Sequence, residues 1–235
     1  MSYLTRVFLD YETAAMRHIH DAYDWHQRVW DAFPHLDRHR NDRRPEGTPR
    51  FFLTRLDEDP RQGGFRLYIL SATAPVRPAW CPDHERNWAT KHIRAEFLEH
   101  KRYRFSLRAN PTKKVTPKGP DGLHQGQGKR VRVREITDLF AWMGRKAQAG
   151  GFEVEHGTLR VTPRGLQHFS IEKERRLGTL GAVDFDGCLR VRNCDAFKNS
   201  FANGIGSAKA FGFGLLLIEP LDEDPSSKPK TKENL

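Results

Sequence analysis

"YLTRVFLDYETAAMRHIHDAYDWHQRVWDAFP", residues 3–34, is the stretch on which the fold turns. Its first eight residues alternate apolar with polar side chains and are rich in β-branched and aromatic types, which predicts a strand. From about Thr13 to Phe33 the apolar residues recur at helical spacing, and Pro34 then stops the helix. A strand that feeds a helix is half of a crossover unit, and the chain beyond it supplies the other half. "RFFLTRL" (50–56) and "GFRLYILSA" (64–72) read as strands, "NWATKHIRAEFLEH" (87–100) has helical spacing, and "YRFSLRAN" (103–110) returns to strand.

The order β-α-β-β-α-β is that of a ferredoxin-like or RNA-recognition-type domain. A second cycle follows. "KRVRVRE" (129–135) is strand-like, "TDLFAWMGRKAQAGG" (137–151) is a helix ended by paired glycines, and "FEVEHGTLRVT" (152–162) reads as a hairpin turned at His156–Gly157. "LQHFSIEKERRLGTLGAVDFDGCLRVRN" (166–193) gives longer strands around a basic turn, "DAFKNSFANGI" (195–205) a short helix, and "FGFGLLLIEP" (211–220) the closing strand. The fold class is therefore α+β: two tandem ferredoxin-like domains at 1–110 and 129–221, a basic flexible connector at 111–128, and a disordered tail at 222–235 with almost no apolar residue.

Composition bounds the partners. The chain has 235 residues, no apolar run near the ~18 needed to cross a bilayer and no charged-then-apolar leader, which predicts a cytoplasmic protein without a membrane partner. Three cysteines, Cys81, Cys188 and Cys194, are odd in number and wrongly spaced for a disulfide framework or a CxxC zinc site. The net charge of +10 is concentrated: residues 101–134 hold eleven Lys and Arg against Asp121 alone, and the rest of the chain balances at 29 of each sign. A Gly-, Pro- and Gln-rich basic segment without a broad apolar helix face suits phosphate backbones better than an acidic membrane.

On a helical wheel started at Ala22, residues Val29, Phe33, His26 and Trp30 fall within about 100° of one another, with Tyr23 at the edge. His26 thus stands in the apolar arc. Two readings fit: a half-buried imidazole with one satisfied hydrogen bond, or an acid–base group that converges with Tyr23, one turn earlier, on one small target. A histidine titrates near neutrality and can take or return a hydroxyl proton, which suits chemistry whose substrate brings its own nucleophile, such as the 2′-hydroxyl of RNA.

Near the far end, "ANGIGSAKAFGFGLLLI" (202–218) sets Gly204, Gly206, Gly212 and Gly214 around Lys209. It lacks the GK[ST] ending of a P-loop, and Lys209 stands where GxGxxG needs its third glycine. It is either a helix-to-strand connection with bulge glycines or a bare backbone that approaches a sugar-phosphate chain, with Lys209 on the phosphates. His35 and His39 lie four apart, but Pro34 precedes them and no acid or cysteine cluster accompanies them, so no metal site is expected.

Taken together, the "AYDWHQRVWDAFP" helix after "YLTRVFLD", "YRFSLRANPTKK" at mid-chain, the helix followed by "GGFEV", and "GIGSAKAFGFGLLLIEP" at the end resemble the CRISPR RNA-processing endoribonucleases of the type I-E Cascade system, in the RAMP superfamily. The resemblance spans residues 2–220. It implies metal-independent cleavage of CRISPR repeat RNA at the base of its stem-loop, leaving a 2′,3′-cyclic phosphate or related 3′ end. It also implies no cofactor, and partnership with that RNA and with other Cascade subunits. By the same resemblance His26 acts in acid–base catalysis beside Tyr23; where relatives place a lysine five residues after the histidine this chain has Asp31, leaving Arg28 or Lys209 as a third cation. The basic hairpin offers Lys173, Arg175 and Arg176 to the RNA stem, the connector offers Arg108, Lys113, Lys114, Arg130 and Arg132, and the glycine-rich end offers Gly204, Gly206, Lys209 and Gly212. Non-catalytic RNA-binding members of the superfamily are the alternative. An RNA-recognition-motif host protein fits less well, because no strand carries an "RGFGFV"-like run.

Overall fold

Strand β1 (Ser2–Asp10) lies inside an antiparallel sheet with β2 (Phe52–Asp59), β3 (Gly64–Ser71) and β4 (Trp88–Ile93), in the order β2–β3–β1–β4. The computed structural model describes residues 2–36, 50–116, 128–171 and 176–222, apart from the side chains of 170, 171, 176 and 177. The alternation in β1 is realised in part: Val7 and Leu9 are sealed on one face, and on the other Arg6 stands exposed but Phe8 is buried. Helices α1 (Tyr11–Met16) and α2 (Ala22–Val29) cover the Val7–Leu9 face with Ala14, Trp25 and Val29.

The single helix expected from Thr13 to Phe33 is broken in two. Asp10 caps α1 by accepting from the Thr13 amide at 2.7 Å; the chain then leaves the helix at Arg17 and turns at His18, whose φ is +52°. Asp21 restarts it, accepting from the Tyr23 and Asp24 amides while the Asp24 carboxylate accepts from the Asp21 amide. That reciprocal pair is a capping box, and it sets where α2 begins. The helix expected over residues 87–100 is instead the edge strand β4 followed by a short 3₁₀ turn, Ala95–Leu98.

The second sheet begins earlier in the chain than the sequence suggested. Strand β5 (Arg102–Ala109) contains most of "YRFSLRAN", yet it does not close the first sheet. After it come a two-stranded ribbon of β6 (Thr112–Val115) and β7 (Lys129–Arg132), helix α3 (Ile136–Ala149), strands β8 (Phe152–Val154), β9 (Arg160–Ile171) and β10 (Arg176–Val191), helix α4 (Cys194–Asn203) and strand β11 (Leu216–Pro220). The sheet runs β11–β5–β10–β8, with β9 also on β10. The supposed hairpin at His156–Gly157 is a break in one edge: β8 pairs with residues 189–191 and β9 with residues 176–186 of the same strand. The connector at 111–128 is thus an insertion between β5 and α3, and its described ends pair as the ribbon; residues 117–127 and the tail from 223 lie outside the described residues.

Each sheet has its own core. One gathers Val7, Leu9, Trp25, Val29 and Ile69, the other Tyr103, Leu107, Trp142, Phe185 and Phe197. A third cluster, Leu53, Leu70 and Ile93 with Phe201 and Leu215, joins the two sheets. Each such side chain contributes roughly 1.5–3 kcal/mol on full burial, so the joint is a packed interface. No described helix is long and apolar enough to cross a membrane.

Candidate active site

Because Trp25 and Val29 face the core, the capped start of α2 leaves Tyr23 and His26 on its half-buried flank. The His26 ring centroid lies 5.3 Å from that of Phe52 and 6.3 Å from that of Trp30. Its Nδ1 is buried, while the residue as a whole keeps part of its surface in solvent. The imidazole is therefore braced by aromatic rings on one side without being enclosed.

The glycine-rich segment arrives at the same place from the other end of the chain. Helix α4 ends at Asn203, and Gly204, Gly206, Gly212 and Gly214 all take positive φ, as does Ala208 at +60°. At Gly204 a Cβ would lie 2.9 Å from both the Gly214 carbonyl and Leu53, so no side chain fits there. The loop is tied down at its base: the Ile205 amide donates to the Gly214 carbonyl at 2.8 Å, the Gly214 amide to the Arg108 carbonyl at 2.8 Å, and the Ser207 hydroxyl to the Asn110 carbonyl at 3.2 Å. Its tip, the 3₁₀ turn Lys209–Phe211, packs against both α2 and the edge strand β2. Phe211 meets Phe169 of β9 with ring centroids 4.2 Å apart, and β9 also touches α2. The bulge-glycine reading and the close-approach reading are thus compatible, since the same backbone conformation that demands glycine presents Lys209 beside the histidine helix.

Burial pushes the Lys209 ammonium below the usual lysine range, and the positive charges of Arg50 and Lys146 push the same way. Lys209, Arg50 and Lys146 disfavour one another as cations, and a phosphate would relieve them. Arg50 and Lys146 were not singled out from sequence: one precedes β2, the other ends α3, and only long-range packing brings them to Lys209.

The other expected site residues scatter. Arg28 donates to the Arg17 carbonyl at 2.8 Å, capping the end of α1. Arg108 is a correction: it is buried, bound bidentately to Asp184 at 2.7 and 2.9 Å, and within 3.0 Å of Asp57, so it holds the two sheets together instead of facing an RNA. On the ribbon, Lys113 pairs with Asp138 at 2.9 Å, Arg130 reaches Thr112 at 3.3 Å, and Lys114 is exposed. Arg132 lies across β10 where a Cβ on Gly181 would strike it. Lys173 and Arg175 fall outside the described residues; the backbone of Arg176 pairs with Ile171 at the start of β10. Asp31 is exposed on the turn after α2, His35 is exposed beyond it, and His39 lies outside the described residues.

Known proteins resemble this chain in sequence and in fold. The family described as CRISPR associated protein matches residues 2–220. The CRISPR system Cascade subunit CasE of Escherichia coli is 30% identical over 204 residues, 86% of this chain and 93% of that protein. The CRISPR-associated endoribonuclease Cse3 of Thermus thermophilus is 32% identical over 127 residues, 51% of this chain and 56% of its own length. Among solved structures, the CRISPR-associated protein Cas6e of Escherichia coli superposes with a TM-score of 0.65 at 25% identity, covering 93% of this chain and 100% of that one. A CRISPR endoribonuclease Cse3 bound to a 19-nucleotide RNA shares the fold with a TM-score of 0.70 at 24% identity, covering 94% of this chain and 100% of that one.

Proposed function

The chain belongs to the CRISPR associated protein family, and on that premise we propose that it is a metal-independent endoribonuclease that cuts CRISPR repeat RNA at the base of its stem-loop and stays bound to the product within Cascade, in the cytoplasm. The observation that carries this reading is the meeting of α2, which bears His26 and Tyr23, with the Lys209 turn of the glycine-rich loop. His26 takes the proton of a ribose 2′-hydroxyl, or returns one to the departing 5′-oxygen. The 2′-oxygen attacks the adjacent phosphorus as the 5′-oxygen leaves, giving a 2′,3′-cyclic phosphate and a 5′-hydroxyl. Tyr23 orients the phosphate, and Lys209 stands in for the cation that Asp31 cannot supply, stabilising the extra negative charge of the transition state.

The strand order β4–β1–β3–β2 in the first sheet and β11–β5–β10–β8 in the second supports two ferredoxin-like halves in tandem. On this reading the second half begins at β5, and the crossover between β3 and β4 in the first has given up its helix. Lys173 and Arg175, which lie between β9 and β10 in the sequence, and Arg176 grip the RNA stem, and the ribbon adds affinity.

The test is single-turnover cleavage of the cognate repeat RNA with excess chelator. The wild type cuts; His26→Ala loses about 10²-fold or more in rate while binding the same RNA as tightly. Loss of wild-type cleavage with the chelator overturns metal independence. The brace of Phe52 and Trp30 on His26 favours one second reading, a non-catalytic RNA-binding subunit, in which His26→Ala lowers the melting temperature and the wild type cuts nothing.

A further inference from the structure

We propose that the pocket framed by Arg6, Arg66 and Arg86 binds a phosphodiester of single-stranded RNA flanking the stem; the inference rests on the RNA-binding part of the reading above and not on its catalytic part. Arg6 comes from β1, Arg66 from β3 and Arg86 from the loop before β4, and with Phe8 and Gln62 they line an open cavity of about 460 Å³. Phe8 and Arg66 are direct partners in the β1–β3 ladder, so their side chains share one face of the sheet, and Arg6 lies two residues along it. The Arg86 loop is clamped in place: the Phe8 amide donates to the Asn87 carbonyl at 3.0 Å, and the Asn87 side chain donates to the Phe8 carbonyl at 2.8 Å. The Arg86 guanidinium carbon then sits 4.6 Å from the centre of the Phe8 ring, a cation–π contact that holds a long side chain still before any ligand arrives.

Three acids stand near these arginines. Asp57 lies opposite Arg66 in the β2–β3 ladder, and Asp10 feels the charge of Arg86. Asp59 pairs with Arg66, Asp10 accepts the Thr13 amide at the start of α1, and Asp57 is shared by Arg55 and Arg108. Arg66 is thus already ion-paired, and Arg6 and Arg86 supply the remaining guanidiniums at the cavity. Planar forks of N–H donors recognise a phosphate bidentately, and the RNA of the reading above supplies one. The scissile phosphate cannot be the occupant, because Arg6 and Phe8 alternate with Val7 and Leu9, and it is the Val7–Leu9 face that packs against α2. An open pocket of this volume admits one phosphodiester with its neighbouring sugars, and a flexible single strand can bend its backbone into it.

Arg6→Gln with Arg86→Gln is titrated against two RNAs, the repeat stem-loop alone and the stem-loop with its single-stranded flanks, over a salt series. The expected result is about tenfold weaker binding of the flanked RNA and a salt slope shallower by about one to two. Affinity for the bare stem-loop and the rate of cutting it stay unchanged, and an Arg104→Gln control on the second sheet leaves both RNAs unaffected. Unchanged binding of the flanked RNA overturns the proposal, as does equal weakening on both RNAs, or defective assembly with protein subunits while RNA affinity is intact. Should the double variant melt early, Arg6→Gln alone, at an exposed position, gives the same comparison with about half the effect on the logarithm of affinity. A wild type that binds the flanks but cuts neither RNA would sink the nuclease assignment and leave this site standing.

Discussion

At the scale of single residues, Lys209 sets stability against use. Its folded-state pKa lies below the usual lysine value, so between the two the unfolded chain binds more protons and stability rises with pH. At neutral pH the charge is held at a cost. Lys209→Met is therefore expected to raise the melting temperature by roughly 1–4 °C while slowing RNA cleavage at least about tenfold, measured by thermal unfolding and single-turnover assays on one preparation. A drop in both would mean that the side chain packs without touching RNA. Cys81 gives a second prediction: burial pushes its thiol up to about 11, and its Sγ lies 3.5 Å from the Asn87 carbonyl. It should resist alkylation at pH 8 in the folded protein, whereas the half-buried Cys188 and Cys194 react first, as mass spectrometry would show.

At the scale of elements, α2 depends on its cap more than on its length. Eight residues form a marginal helix without help, and Asp21 satisfies two of the first amides. Asp21→Ala should cost about 1 kcal/mol in chemical denaturation and should slow cleavage more than it weakens RNA binding, because Tyr23 is two residues from the cap. Element identity was legible where a buried face alternates with a more exposed one, as in β1 and α3; the closing strand expected over 211–220 forms only over Leu216–Pro220, because the 3₁₀ turn Lys209–Phe211 and the positive-φ glycines after it break its first half. It failed at β4, whose residues 89–92 are all exposed, so that an edge strand carries no alternation and the spacing of Trp88, Ile93 and Phe97 mimics a helix. The break between α1 and α2 was readable in principle, since Asp10 and Asp21 are both N-caps, but the apolar pattern runs across the gap and conceals it. His26 and the Lys209 loop were both visible as unusual stretches. Their contact was not, because 183 positions of sequence separate them and only the packing of the two sheets closes that distance.

At the scale of the whole molecule, the same blindness to long-range pairing explains Arg108. By composition it belongs to the basic segment, and in space it is the buried arm that reaches from β5 to Asp57 on β2 and to Asp184 on β10. Arg55 and Arg164 extend the network, with Arg55 donating to Ser106 at 2.7 Å and Arg164 to Asp184 at 2.7 Å. Burial by itself would raise the Asp184 pKa, but the hydrogen bonds from Arg108 and Arg164 more than offset it, and the net shift is downward. A carboxyl with a lowered folded-state pKa gives stability that is present above its unfolded value near 3.8 and is lost as the pH falls through the folded value. Asp184→Asn removes that contribution and leaves Arg108 with Asp57 as its carboxylate partner, a loss of about 1.5–3 kcal/mol at neutral pH. Because the pair ties β5 to β10 and both to β2, the variant should loosen the seating of the glycine-rich loop, whose Gly214 amide hangs from the Arg108 carbonyl. The expected signature is a lower melting temperature at pH 7, a stability curve flatter than wild type below pH 4, and faster hydrogen exchange at Gly214. Wild-type exchange there, with stability lost, would confine the network to holding the sheets and separate it from the active site.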